Sequence, residues 1–422
     1  MPQLSSSTDF TDLLDYLYNL QRFGIKVGLS HTIKLLKRCG NPQNNFQSIH
    51  VAGTNGKGST CAMTAAILMA AGYKVGMYSS PHLICFNERI QINNNLITDD
   101  QIISFVKDYK QDIEEIESTF FETTTAMAFH HFSNHKVDVA VIETGLGGRL
   151  DSTNVLRPIV TAITPISMDH REILGNNIQK IAKEKGGIIK PRVPLVLGSQ
   201  EDSVKSILFD IAIRNGSKKI KQVIPNEIKF DASGTVFNYD NIRFQTKLIG
   251  EHQAFNAALS ISIVSEFNSN INPETIQKGL DNTHWPGRLQ KLSESPSLFY
   301  DVAHNPEGIN AILSTIQTIY KCNPVGLFVM KEDKETEIIA SAIKGRFESL
   351  IISGGENYGL MTASQLAKAL KENGIDDFTV ENSIINAMVQ FSNNSKKLNM
   401  PGVIFGSHYI AKEVFDKFGF LV

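Results

Sequence analysis

Cysteine is scarce: Cys39, Cys61, Cys85 and Cys322 are scattered through 422 residues, with no CxxC pair. That spacing excludes a zinc knuckle and a disulfide scaffold, and it fits a reducing compartment. Long apolar runs are missing too. None approaches the roughly 18 residues of a spanning helix, and the N-terminal MPQLSSSTDFTDLLDYLYNL carries acids where a secretory leader needs basic and then apolar residues. A soluble, cytoplasmic protein with no membrane contact is expected. Nor does charge of one sign prevail: 41 Lys+Arg against 43 Asp+Glu leave a net charge of -2, with no field to draw in a polyanion. Nucleic acid is therefore not an expected partner.

What is present describes a globular chain, 42% hydrophobic and 20% charged, long enough for two or three domains. Short apolar runs alternate with amphipathic stretches, the pattern of strands joined by crossover helices, so the fold class is α/β. In the first half the strands are expected at 48–52, 74–79, 137–143, 159–164 and 194–198, with helices at 59–71, 99–117 and 178–185. Residues 226–249 alternate instead, with turn signals at Ser233-Gly234 and Asp240-Asn241, and read as a small antiparallel section. A second βα series from about residue 297 reads as a smaller, Rossmann-like α/β domain. Between the two series Pro286-Gly287 punctuates THWPGRLQ, where the only tryptophan, Trp285, stands. The expected division is an N-terminal domain over 1–284, a hinge over 285–290 and a C-terminal domain over 291–422.

The sharpest local signal is SIHVAGTNGKGSTCAMTAAILMAAG, a short strand running through a glycine-rich turn into an alanine-rich helix. Gly53, Gly56 and Gly58 let backbone N–H groups turn inward. Lys57 can reach the outer phosphates of a nucleotide, and Ser59 and Thr60 open a helix whose N-terminus favours anions. The spacing is a shortened variant of the usual P-loop. A second glycine-rich turn, GLGG at 145–148, fails as a dinucleotide fingerprint because the final glycine would fall on Leu150.

Glu143 ends the strand VDVAVIE at the sheet edge where an α/β protein faces its ligand, so it can hold Mg2+ beside a triphosphate or pair with Arg149. His170 follows a third strand and reads either as a ligand or as a spectator, since Mg2+ prefers oxygen. Lys180, Lys183 and Lys185 share one helix, and periodicity singles out none of them.

In order and spacing, GTNGKGST, SSPHL with FNERI, ETGLGGRLDSTN, DH followed by EKGGIIK, GEHQAFNAALS, WPGRLQ and DVAHNPEG resemble the folylpolyglutamate synthase and dihydrofolate synthase family of the Mur ligase superfamily, over nearly the whole chain. The resemblance implies an ATP-dependent amide ligase with an N-terminal P-loop domain and a C-terminal Rossmann-like domain. It makes Asn55, Gly56, Lys57, Gly58, Ser59 and Thr60 the nucleotide cradle, and Ser80, Glu143 and His170 the magnesium ligands, with two Mg2+ sites. Lys185 matches a lysine that is carbamylated in the family, with Gly186 where alanine is usual. Asn256 and Arg288 then contact adenine and phosphates, and Asp301 and His304 the ribose and adenine, although Asn256 could also merely pack and Arg288 merely pair with an acid. Val302 stands where the family commonly has glycine.

For the acid substrate the resemblance points to Thr119, Phe121, Glu122, Asp151 and Ser152. Phe121 would stack on a pterin ring or serve as a core aromatic. SSPHLICFNERI resembles the family's mobile substrate loop, with Arg89 orienting a carboxylate. The implied reaction adds L-glutamate to dihydropteroate or to the γ-glutamyl chain of reduced folates through an acyl phosphate, in a monomeric enzyme. A Mur-type ligase acting on a UDP-linked precursor is the alternative, although only 52 residues precede Gly53. A nucleotide-dependent switch is a third reading.

Overall fold

The computed structural model describes residues 6–20, 28–168, 171–332, 336–355 and 359–420. In chain order its elements are α1 (Ser6–Asn19), α2 (Ser30–Arg38), β1 (Gln47–Ala52), α3 (Lys57–Ala70), β2 (Val75–Tyr78), β3 (Ile90–Ile92), β4 (Asn95–Leu96), α4 (Asp99–Ile116), α5 (Phe120–Asn134), β5 (Val139–Glu143), β6 (Val160–Ile163), α6 (Arg171–Leu174), α7 (Ile178–Gly186), β7 (Leu195–Leu197), α8 (Asp202–Arg214) and β8 (Ile220–Gln222). There follow β9 (Asn226–Asp231), β10 (Gly234–Tyr239), β11 (Ile242–Thr246), α9 (Glu251–Phe267), α10 (Pro273–Asp281), β12 (Gln290–Glu294), β13 (Ser297–Tyr300), α11 (Pro306–Tyr320), β14 (Val325–Phe328), α12 (Thr336–Ile343), β15 (Ser349–Ile352), α13 (Ala363–Glu372), β16 (Thr379–Val380), α14 (Ile384–Leu398), β17 (Gly402–Phe405) and α15 (Ala411–Phe418). They form two compact units, Met1–Pro225 with Phe255–Thr283, and Asn226–Ala254 with His284–Val422.

In the first unit eight strands lie in the order β4-β3-β2-β5-β1-β6-β7-β8. From β2 to β8 they run parallel, while β3 and β4 add an antiparallel edge. The central strand β1 is buried from Ser48 to Ala52, as a parallel strand covered on both faces must be. It lies between β5 and β6, with Val51 opposite Glu143 and Ala52 opposite Ile163, so the chain leaves β1 at the point where strand order switches direction. Phe105, Phe129 and Phe132 belong to one apolar core of this unit; Ile181, Leu197 and Leu208 belong to another. The alanine-rich α3 is buried from Gly58 to Leu68, and Gly279 of α10 packs so closely on it that a Cβ would collide with the Ile67 backbone.

The second unit holds a six-stranded sheet, β12-β13-β17-β14-β15-β16, parallel except for its edge strand β12. Ile312, Leu313, Leu366, Phe328 and Phe405 fill its core, the last two stacked with ring centroids 4.9 Å apart. The three-stranded antiparallel sheet β11-β10-β9 groups with this unit. Asp240 (φ 48°) and Asn241 (φ 62°) turn β10 into β11, a pair of residues that tolerate the left-handed conformation a tight hairpin needs. Among the described residues no helix is long and apolar enough to cross a membrane.

Candidate active site

The turn after β1 is pinned to the segment that follows β6. Thr54 N donates to Pro165 O at 2.9 Å, Thr54 Oγ1 donates to Ser167 O at 3.1 Å, and Asn55 Nδ2 reaches Ser167 Oγ at 3.4 Å. Gly56 adopts φ +88°, and a Cβ there would collide with Asn256 Oδ1. The glycine is required on both counts, and the buried Asn256 of α9 thereby lies against the loop.

Lys57, the first residue of α3, donates from Nζ to Thr54 O at 3.1 Å and lies 4.0 Å from Glu143 Oε1. Glu143 ends β5 almost fully buried and accepts from Ser80 N at 3.4 Å. Thus Lys57, Glu143 and Ser80, far apart in sequence, converge at the carboxyl edge of the sheet. Arg149 is engaged elsewhere, in a two-pronged pair with Glu184 Oε1 at 2.9 and 3.0 Å. Ser59 Oγ and Thr60 Oγ1 are buried in the first turn of α3 and find no hydrogen-bond partner among the described residues. From α7, Lys185 is buried and donates from Nζ to Gly53 O at 2.6 Å. Gly186 beside it faces Ile211 and Leu208, whose side chains a Cβ would press.

The hard oxygens of Glu143 and the Ser80 side chain suit Mg2+. His170, the third expected ligand, lies outside the described residues. Among the described residues no group of three His, Cys, Asp or Glu side chains comes together as a metal site.

Of the residues expected to meet the acid substrate, Phe121 and Asp151 lie against the turn after β5. Phe121 packs on Gly145, where a Cβ would strike its ring, and its centroid lies 6.0 Å from that of Tyr78. Asp151 Oδ2 accepts from Gly145 N at 2.9 Å and Leu146 N at 2.8 Å, while Ser152 follows in a buried 3-10 turn. Thr119 and Glu122 form a capping box on α5: Glu122 Oε2 accepts from Thr119 N at 2.7 Å, and Glu122 N donates to Thr119 Oγ1 at 3.4 Å. Arg89 is buried, donates from Nε to His82 Nδ1 at 2.8 Å, and stands 5.2 Å over the Phe120 ring. Burial and the Arg89 charge lower the His82 pKa to about 3. Glu88 holds the same loop by accepting from Leu83 N, Ile84 N and Cys85 N at 2.7–2.8 Å.

In the second unit Asp301 directly follows β13 and accepts from Leu289 N and Ala303 N, both at 2.8 Å. Burial raises its pKa, and Arg288 opposes the rise. Arg288 Nη1 donates to Gly287 O at 3.0 Å, and His304 Nδ1 lies 3.0 Å from Val302 O. His252 is held neutral, its pKa lowered to about 4 by burial and then by the Arg288 charge.

The Mur ligase middle domain family matches residues 51–264, and the Mur ligase glutamate ligase domain family matches 287–398. The chain is 40% identical over 332 residues to the dihydrofolate synthase/folylpolyglutamate synthase of Bacillus subtilis, covering 74% of this chain and 76% of that one. It superposes with a TM-score of 0.90 and 29% identity on Mycobacterium tuberculosis folylpolyglutamate synthase complexed with ADP and AMPPCP, covering 98% and 99% of the two chains. Escherichia coli FolC in complex with DHPP and ADP matches at a TM-score of 0.83 and 28% identity, covering 98% of each chain.

The chain belongs to the folylpolyglutamate synthase/dihydrofolate synthase family of Mur ligases.

Among the members of this family to which it is similar, it retains the two-part α/β architecture throughout. Two buried residues to which sequence reading gave no role are His50, just before the P-loop, and Thr153, inside the ETGLGGRLDSTN motif. His50 sits within an apolar strand and Thr153 within a polar turn, and only pairing across 103 residues brings them to 2.8 Å.

Proposed function

We propose that this chain is an ATP-dependent amide ligase that joins L-glutamate to dihydropteroate, to the γ-glutamyl chain of reduced folates, or to both. The γ-phosphoryl group of ATP passes to the substrate carboxylate, giving an acyl phosphate and ADP. The α-amino group of L-glutamate then attacks the acyl carbon, phosphate leaves, and the amide remains. Carboxylates are poor electrophiles, which is why ATP is consumed.

The observation that carries this reading is the convergence of Lys57 and Glu143 at the carboxyl edge of β1 and β5, beside Ser59 and Thr60 hydroxyls that have no partner among the described residues. Asn55, Gly56, Lys57, Gly58, Ser59 and Thr60 cradle the triphosphate, with Lys57 offsetting charge on the transferred group. Ser80, Glu143 and His170 are the residues assigned to Mg2+, which when bound neutralises phosphate charge. Asn256 serves the adenine side, and Arg288, Asp301 and His304 are the second unit's residues assigned to the nucleotide. Lys185 is proposed to act as a carbamate. Thr119, Phe121, Glu122, Asp151, Ser152 and Arg89 shape the acid-substrate site, with Phe121 offering an aromatic face. The UDP-linked alternative is disfavoured because the relatives described above are folate-type ligases.

The test is phosphate release from Mg-ATP and L-glutamate, with 7,8-dihydropteroate or tetrahydrofolate supplied separately and each amide identified by mass. Turnover with either acid supports the reading, and turnover with both makes the enzyme bifunctional. Release with neither overturns it.

A further inference from the structure

His50, on the strand that leads into the P-loop, is fully buried yet takes no part in the nucleotide site described above. Its Nε2 lies 2.8 Å from Thr153 Oγ1. Thr153 Oγ1 donates in turn to Asp151 Oδ1 at 2.5 Å, and Thr153 N donates to the same oxygen at 3.0 Å. The other oxygen, Oδ2, takes the N–H groups of Gly145 and Leu146. Four donors therefore fix one carboxylate and favour its ionised form, opposing the burial that raises its pKa.

The direction of the chain follows. With its proton committed to Asp151, the Thr153 hydroxyl can only accept from the histidine, so His50 carries its proton on Nε2. Among the described residues its buried Nδ1 has no partner, as suits a bare ring nitrogen rather than a second N–H. Lys190 adds a nearby positive charge that opposes protonation of the ring. Beyond the carboxylate, the Gly145–Leu146 turn is the surface on which Phe121 rests.

We propose that His50 is a positioning residue for the acid substrate: through Thr153 it orients the Asp151 carboxylate and with it the Gly145–Leu146 turn beneath Phe121. It touches neither substrate nor nucleotide. This inference rests on the acid-substrate site proposed above.

The experiment compares steady-state kinetics of Thr153→Val, Thr153→Ser, His50→Leu and His50→Gln in the full chain, varying ATP and the acid substrate separately. Val keeps the shape of threonine and removes the bridging hydroxyl, so it tests the relay even where His50→Leu fails to fold. Thr153→Val is expected to raise KM for the acid about tenfold, the scale of one lost hydrogen bond to a buried carboxylate, with KM for ATP within about twofold of the parent. In a folded His50→Leu the KM for the acid is expected to rise in the same direction, while Thr153→Ser and His50→Gln, which retain an O–H and an N–H donor, are expected to stay close to the parent. An unchanged KM for the acid in Thr153→Val or in a folded His50→Leu, or an equal rise in both KM values, overturns the proposal. Absence of turnover by the parent chain with either acid would instead overturn the functional reading itself.

Discussion

Lys185 Nζ donates a 2.6 Å hydrogen bond to the carbonyl of Gly53, tying α7 to the first glycine of the P-loop across 132 residues of chain. A buried amine at that position holds the loop backbone in place before any nucleotide arrives. Lys185→Met keeps the length of the side chain and removes the donor, leaving the Gly53 carbonyl without it. Stability is expected to fall by about 1–3 kcal/mol, read from urea unfolding, and turnover to be lost with it. Unchanged stability and turnover would remove Lys185 from the site.

Lys57→Ala removes the cation that lies 4.0 Å from Glu143 while leaving the core intact. Phosphate release is expected to drop by about a hundredfold or more, with the melting temperature within a few degrees of the parent. Retained turnover would refute the P-loop assignment.

Gly279 of α10 is a packing glycine. Because a Cβ there would meet the Ile67 backbone rather than a movable side chain, Gly279→Ala is expected to cost about 1–3 kcal/mol. Thermal unfolding measures it, and a neutral result would show that α3 and α10 can separate without penalty.

Acid should destabilise this protein through its buried histidines. Burial lowers the pKa of His50 to about 3, and that of His131 and of His252 to about 4, against an ordinary 6.5. Between those values and 6.5 the unfolded chain binds more protons than the folded one, so stability is full above about 6.5 and declines as pH falls. Each group contributes up to about 1.4 kcal/mol per pH unit within its window. Unfolding free energies measured from pH 7 down to pH 4 should show this slope, and His131→Phe should flatten it.

Much of the fold is legible locally. The strand, glycine turn and helix around Gly53 to Ala70 follow from short-range pattern, as do the Asp240-Asn241 hairpin and the βα alternation after residue 297, because backbone conformation there is dictated by neighbours in sequence. Other features are not local. The antiparallel edge of β3 and β4 arises at an Asn93-Asn94 turn just after what reads as a substrate loop, and the segment TFFE opens the long helix α5, whose buried face is set by tertiary packing. That the antiparallel sheet of 226–254 groups with the second unit is likewise a matter of long-range contact.

The same division holds for the site. By itself the amino-acid sequence determined the phosphate-binding turn, the α/β alternation and, through its motifs, the family, since these depend on residue type and short spacing. Only the tertiary structure decided which polar groups meet: Lys57 with Glu143, Lys185 with Gly53, and His50 through Thr153 with Asp151. Those partners are brought together by strand order and helix packing, and a buried polar atom finds its donor through the whole fold rather than through its neighbours in the chain.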